Sequence, residues 1–238
     1  LRKNLEAAMA LVPAGTDPAL VDVAIDPARQ GFSRLEFLGD AILGLAVYAS
    51  GVVAGESRDE LMRRVSNSQL RRVRAERLSA ATAAPTGDVV EALVAAIHLS
   101  AGFDDAARWS VSMCLPGCEA VVGGDERSRA WLQEATGTAK DPAVLAFVGA
   151  ALIDAVLADH LCRSEPTQTQ GWYSSRKNTL RARRRIARLA RDGRPGQTMS
   201  DARAARLSDE VEAELATAFL EQGWSCAAEV LSRLRVDA

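Results

Sequence analysis

Histidine occurs only twice and cysteine only four times in the 238 residues, and neither type falls into a paired metal-ligand spacing. Cys114, Cys118, Cys162 and Cys226 form no disulfide-dense framework, so a reduced, cytoplasmic setting is expected. The shortage of histidine and clustered cysteine argues against a zinc or copper site. Aromatic residues make up 5% of the chain, and the formal net charge is −2. That charge gives no global attraction to a polyanion, so nucleic-acid binding would need a local basic patch. No stretch alternates polar and apolar residues as a half-buried strand does. The opening LRKNLEAAMALVPAG has an apolar run interrupted by Glu6. The run is too short to span a bilayer, so an amphipathic helix and no membrane association are expected.

What the chain has in abundance is alanine and helical spacing, which together predict an all-α fold. Helices are expected over residues 2–12, over DPALVDVAI, from residue 33 to about Ala49, within ESRDELMRRVSNSQLRRVRAERLSAA, and over DVVEALVAAIHLSAG with a glycine stop at Gly102. LPGCEAVVGGD, with Pro116, Gly117, Gly123 and Gly124, has no period and reads as a linker. Beyond it the pattern repeats. DPAVLAFVGAALIDAVLADHL aligns with SRLEFLGDAILGLAVYAS at an offset of 110, placing Gly149 on Gly39. SDEVEAELATAFLEQGWSCAAEVL aligns with GDVVEALVAAIHLSAGFDDAARWS at an offset of 121, placing Asp209 on Asp88. Two segments repeated in the same order predict a duplicated helical domain: residues 1–115, a linker at 116–125, and residues 126–238.

Within SRLEFLGDAIL, Glu36 and Asp40 are at i and i+4, one turn apart on one helix face; Asp88 and Glu91, at i and i+3, also share a face. Four acids without partners inside a core would be costly, and close like charges raise one another's pKa values. A divalent cation with oxygen ligands resolves that conflict, with Mg²⁺ or Mn²⁺ the fitting choice. Such an ion can activate water and stabilise charge on a phosphodiester.

RLEFLGDAIL resembles the signature stretch of the ribonuclease III family, and GDVVEALVAAIHLSAGF resembles that family's second conserved helix. GESRDELMRRVSNSQL, centred on Asn67, is similar to its intermediate segment. The resemblance covers residues 15 to 110. It implies an all-helical nuclease that cuts double-stranded RNA with Mg²⁺, leaving a 5′-phosphate and a 3′-hydroxyl. Glu36, Asp40, Asp88 and Glu91 match the family's metal-binding, catalytic acids, and Phe37 and Phe147 match the phenylalanine that knits two domains together. The family usually has an acid just before the signature arginine, where this chain has Ser33; altered RNA handling is the expected consequence.

In the second copy Ala146 and Ala150 replace Glu36 and Asp40, while Asp209 and Glu212 remain. With two of its four ligands replaced by methyl groups, this copy is expected to be a non-catalytic partner. The resemblance then implies two ribonuclease III-like domains in an intramolecular pseudo-dimer that nicks one strand and requires no further oligomerisation. The alternative is a weak or inactive double-stranded-RNA-binding or assembly factor. The basic run RKNTLRARRRIARLARDGR, residues 176 to 194, is expected to form a helix whose Arg176, Lys177, Arg181, Arg184, Arg185 and Arg188 track RNA phosphates.

Overall fold

The computed structural model describes residues 2–82, 86–115, 142–182, 186 and 200–236. The expected linker, residues 126–141 of the second copy, and Arg184, Arg185 and Arg188 lie outside the described residues, as does the side chain of Asn67.

Among the described residues every regular element is a helix, in keeping with the all-α expectation. The first half contains α1 (Arg2–Met9), α2 (Pro18–Ala24), α3 (Phe32–Val53), α4 (Arg58–Arg64), α5 (Asn67–Arg77), α6 (Asp88–Ala101) and α7 (Phe103–Cys114). The second contains α8 (Pro142–Ser164), α9 (Gln170–Arg181), α10 (Asp201–Gln222), a 3₁₀ turn (Gly223–Cys226) and α11 (Ala227–Arg233).

Several starts are fixed locally. Asp17 accepts from the Ala19 N–H at 2.8 Å with Pro18 at the first helical position, while Ser57, Thr169 and Ser200 cap α4, α9 and α10. By contrast, α3 and α6 have no side-chain cap bond. Burial holds them instead: every residue of α6 from Val89 to His98 is buried, and each large apolar side chain so placed contributes about 1.5–3 kcal/mol.

α3 packs on α6 and α7, α8 packs on α10 and α9, and α3 and α8 pack on each other. One continuous core runs through both halves. α3 and α8 are long and apolar enough to cross a membrane by length and composition, but 78% and 61% of their most apolar windows are buried inside the fold. A helix that is apolar nearly all round is what the centre of a core requires.

Two glycines set the tightest crossings. A Cβ on Gly39 would lie 1.7 Å from the Glu91 carbonyl oxygen, and a Cβ on Gly149 would lie 1.7 Å from the Glu212 carbonyl oxygen. Only a residue without a side chain lets these helix pairs approach so closely. The rings between the halves are also paired. Phe103 stacks on Trp224, 121 positions later, with centroids 4.7 Å apart. His98 meets Trp224 edge-on at 5.3 Å, and Phe103 meets Phe219, 121 positions after His98, edge-on at 5.7 Å.

The structure corrects the sequence expectation in the basic run. The helix ends at Arg181, and Ala182 is extended at φ −50° and ψ 122°, so residues 176 to 194 are not one continuous helix. Arginine and alanine favour helix locally, but the turn at Ala182 lets Ile186 enter the core at 1% exposure, and tertiary burial outweighs propensity. The first long helix also continues to Val53 rather than stopping near Ala49.

Candidate metal centre

α3 brings Glu36 and Asp40 to one face, and the first turn of α6 brings Asp88 and Glu91. The Gly39 crossing presses these two faces together directly at Glu91. The result is a cavity of about 300 Å³ lined by Glu36, Phe37, Asp40, Asp88, Glu91, Gln170, Ser174 and Lys177. All four acids expected from the sequence line it. One carboxylate oxygen from each of Glu36, Asp88 and Glu91 lies within 4.8 Å of the other two. Asp40 is not a member of that close group.

The electrostatics follow from the crowding. Burial, then the charges of Asp40, Asp88 and Glu36, push the Glu91 carboxyl up to about 8. At neutral pH, with no cation, this site therefore retains a proton. Burial also raises Glu36, opposed by its hydrogen bond from Gln170 and reinforced by Asp88 and Asp40. Asp40 reaches solvent, yet the surrounding helices crowd it enough that desolvation is the largest cause of its raised pKa, with Lys177 opposing. The N-terminus of α6 partly offsets this repulsion, because its free N–H groups favour carboxylates in the first turn.

These residues fit a hard divalent cation. The close group is all carboxylate oxygen, with neither histidine nor cysteine in the cavity lining, and an ion there would take the place of the retained proton.

The second half completes the wall. Gln170 Nε2 donates to Glu36 Oε1 at 2.9 Å, and Gln170, Ser174 and Lys177 lie on one face of α9 at i, i+4 and i+7. Sequence reasoning missed Gln170 and Ser174. Their spacing shows a shared polar face, but nothing in it says that the face closes a cavity in the other half. The Lys177 ammonium lies 5.1 Å from the Phe37 ring centroid and 3.8 Å from Asp154. Arg181 pairs with Asp154 at 2.7 Å. Two of the cations expected to face RNA are therefore turned toward an acid on α8, whereas Arg176 is exposed.

Phe37 stacks on Tyr173 at 5.2 Å, and Phe147 packs against Tyr48 at 4.6 Å beneath the Arg58 guanidinium. Each phenylalanine thus touches a ring from the opposite half. Arg34, the signature arginine, donates to the Pro166 carbonyl at 3.3 Å, and Ser33 is exposed on the first turn of α3.

The corresponding cavity of the second half, about 310 Å³, is lined by Ala146, Phe147, Ala150, Asp154, Asp209 and Glu212 together with Tyr48, Arg58 and Arg181. Glu212 is buried and accepts from Ser208 Oγ at 3.1 Å. His98 does not join the acid cavity: it is 3% exposed and contacts Asp159 through Nε2 at 3.0 Å, tying α6 to α8. Cys114, Cys162 and Cys226 are free and buried, and burial pushes the first two thiols up to about 12. Compared with known families and curated proteins, the chain matches no family model and no curated sequence.

Proposed function

We propose that the chain is a Mg²⁺-dependent endoribonuclease of the ribonuclease III type acting on double-stranded RNA in the cytoplasm, with the catalytic site in its first half. The observation that carries this reading is the convergence of Glu36, Asp88 and Glu91 within 4.8 Å, in a cavity that Asp40 also lines. Four acids from two helices, held together by a glycine crossing and free of other ligand types, are suited to a hard cation and a phosphodiester. Mg²⁺, or Mn²⁺ in its place, would be held by these carboxylates and would supply Lewis-acid stabilisation of charge on phosphate oxygens. The chain's own residues order the site: Gln170 fixes one oxygen of Glu36, and Gly39 fixes the depth of Glu91.

The stacked pair of Phe103 and Trp224, 121 positions apart, the two edge-on contacts that flank it, and the matched glycine crossings support two ribonuclease III-like units joined as an intramolecular pseudo-dimer. With Ala146 and Ala150 in the second cavity, only one strand of a duplex would be cut per encounter. A second reading, an RNA-binding factor that does not cleave, draws on one observation: Asp40 stands apart from the close acid group.

The test is cleavage of a duplex RNA labelled on both strands. Metal-dependent cuts confined to one strand per event, lost in Asp40→Ala and Glu91→Ala, are the expected result. Duplex that binds yet stays intact in both Mg²⁺ and Mn²⁺ would leave the binding factor as the function.

A further inference from the structure

Resting on the reading of two duplicated units paired within one chain, we infer that the buried contact of His98 with Asp159 selects which halves pair: it favours the first half on the second and disfavours either half on its like from a second copy of the chain.

The ring contacts between the halves exchange under the repeat offset. Phe103 and Trp224 are 121 positions apart, so their stack maps onto itself. His98 and Phe219 are also 121 apart, so the edge-on contact of His98 with Trp224 maps onto that of Phe219 with Phe103. Contacts that exchange in this way are those of two units packed about a local two-fold axis. His98 and Phe219 therefore hold matching places on the two flanks of the ring stack, and at the offset of 110 Asp159 matches Ala49.

The two flanks differ in chemistry. On one, His98 Nε2 and Asp159 Oδ1 lie 3.0 Å apart, joining α6 to α8. The matching residues of the other flank are Phe219 and Ala49, both buried and neither with a polar side chain. His98 Nδ1 is buried and makes no hydrogen bond among the described residues, so the ring's hydrogen bonding rests on Asp159. Arg163 reaches Asp159 at 2.8 Å from the same helix. That ion pair survives whatever half lies opposite, so it does not select.

Like-with-like pairing separates the two partners. Two first halves would set each His98 against an alanine at position 49 and bury two imidazoles without a carboxylate. Two second halves would set each Asp159 against the ring of Phe219. An unpaired polar group in a buried interface costs more than the pair itself contributes, and such groups are an effective means of rejecting a wrong partner. First-on-second pairing keeps one complete acid cavity in each assembly.

The experiment measures association of the full chain by sedimentation equilibrium and light scattering, with the melting temperature of every variant recorded. The natural chain should be monomeric. His98→Phe combined with Asp159→Ala makes the flanks alike and should associate into dimers at least about tenfold more tightly than the natural chain. His98→Leu with Asp159→Ala supplies the same test if the larger ring is not accommodated. Adding Phe219→His and Ala49→Asp to the first double variant moves the pair to the other flank and should restore the monomer. The inference is overturned if a folded double variant stays as monomeric as the natural chain, or if moving the pair leaves the dimer in place. A natural chain that is itself a tight dimer overturns the intramolecular pairing, a result distinct from both.

Discussion

The two cavities are built by the same crossing and differ in what lines it. In one, Gly39 lets α3 meet the backbone of Glu91; in the other, Gly149 lets α8 meet the backbone of Glu212 at the same 1.7 Å virtual Cβ distance. The first cavity presents Glu36 and Asp40 beside that crossing, and the second presents Ala146 and Ala150. Retaining Glu212 does not retain the environment of Glu91. Glu91 faces three other acids and is pushed up to about 8, whereas Glu212 accepts a hydrogen bond from Ser208. The same helix crossing thus occurs with and without acids on the glycine-bearing helix, because packing depends on the glycine and chemistry on its neighbours.

The strongest way to break this comparison is to treat the paired glutamates alike. Glu91→Gln should lower metal-dependent duplex cleavage on the order of 10²–10³-fold, the range for losing one group that stabilises developing charge. Glu212→Gln should leave cleavage close to the natural rate, and parallel initial-rate assays decide. Equal losses in both would mean that the second cavity participates in the chemistry.

The glycines offer the next largest effect, this time with the two halves expected to agree. Gly39→Ala and Gly149→Ala each drive a methyl group into a backbone carbonyl, so each should destabilise the chain by about 3 kcal/mol or more. Denaturant unfolding measures both. A large cost at one glycine and a small cost at the other would show that the crossings differ.

pH separates the cavities more gently. The folded-state pKa of Glu91, about 8, lies above the ordinary carboxyl value of 4.5, so between these values the folded chain binds more protons than the unfolded chain. Stability from this group is therefore fully present below about 4.5 and is lost as pH rises through about 8. In chelator, the melting temperature should fall from pH 6 to pH 8.5, and Glu91→Gln should flatten that fall. Saturating Mg²⁺ should also flatten it, since the ion stabilises the ionised carboxylates. A profile in chelator that is indifferent to Glu91→Gln would remove the crowded-acid account.

The smallest effect concerns the basic run. Arg176 is exposed, while Arg181 is engaged with Asp154. Arg176→Ala should reduce the slope of log affinity against log salt for duplex RNA by about one, and Arg181→Ala should reduce it by less.

The acid site was legible at the level of helix faces. Glu36 with Asp40, and Asp88 with Glu91, are spaced to share a face whatever the rest of the chain does, because helix geometry fixes that relation. The two glycine crossings were equally open to reading, since Gly39 and Gly149 are arranged in matching order along the chain. The basic run misled for a physical reason. It contains almost no acid, so its cations read as free, but Lys177 and Arg181 are engaged by Asp154 on another helix.

By itself, then, the sequence determined the helical class, the pairing of carboxylates on two helices, and the presence of Ala146 and Ala150 where the aligned segment has Glu36 and Asp40. These follow from local periodicity and residue identity. Only the tertiary structure decided that three acids converge and Asp40 stands apart, that Gln170, Ser174 and Lys177 cross from the other half to close the cavity, and that His98 serves the interface with Asp159. Those relations depend on which faces of distant helices are buried together, and packing across more than a hundred residues of chain leaves no period in the sequence to reveal it.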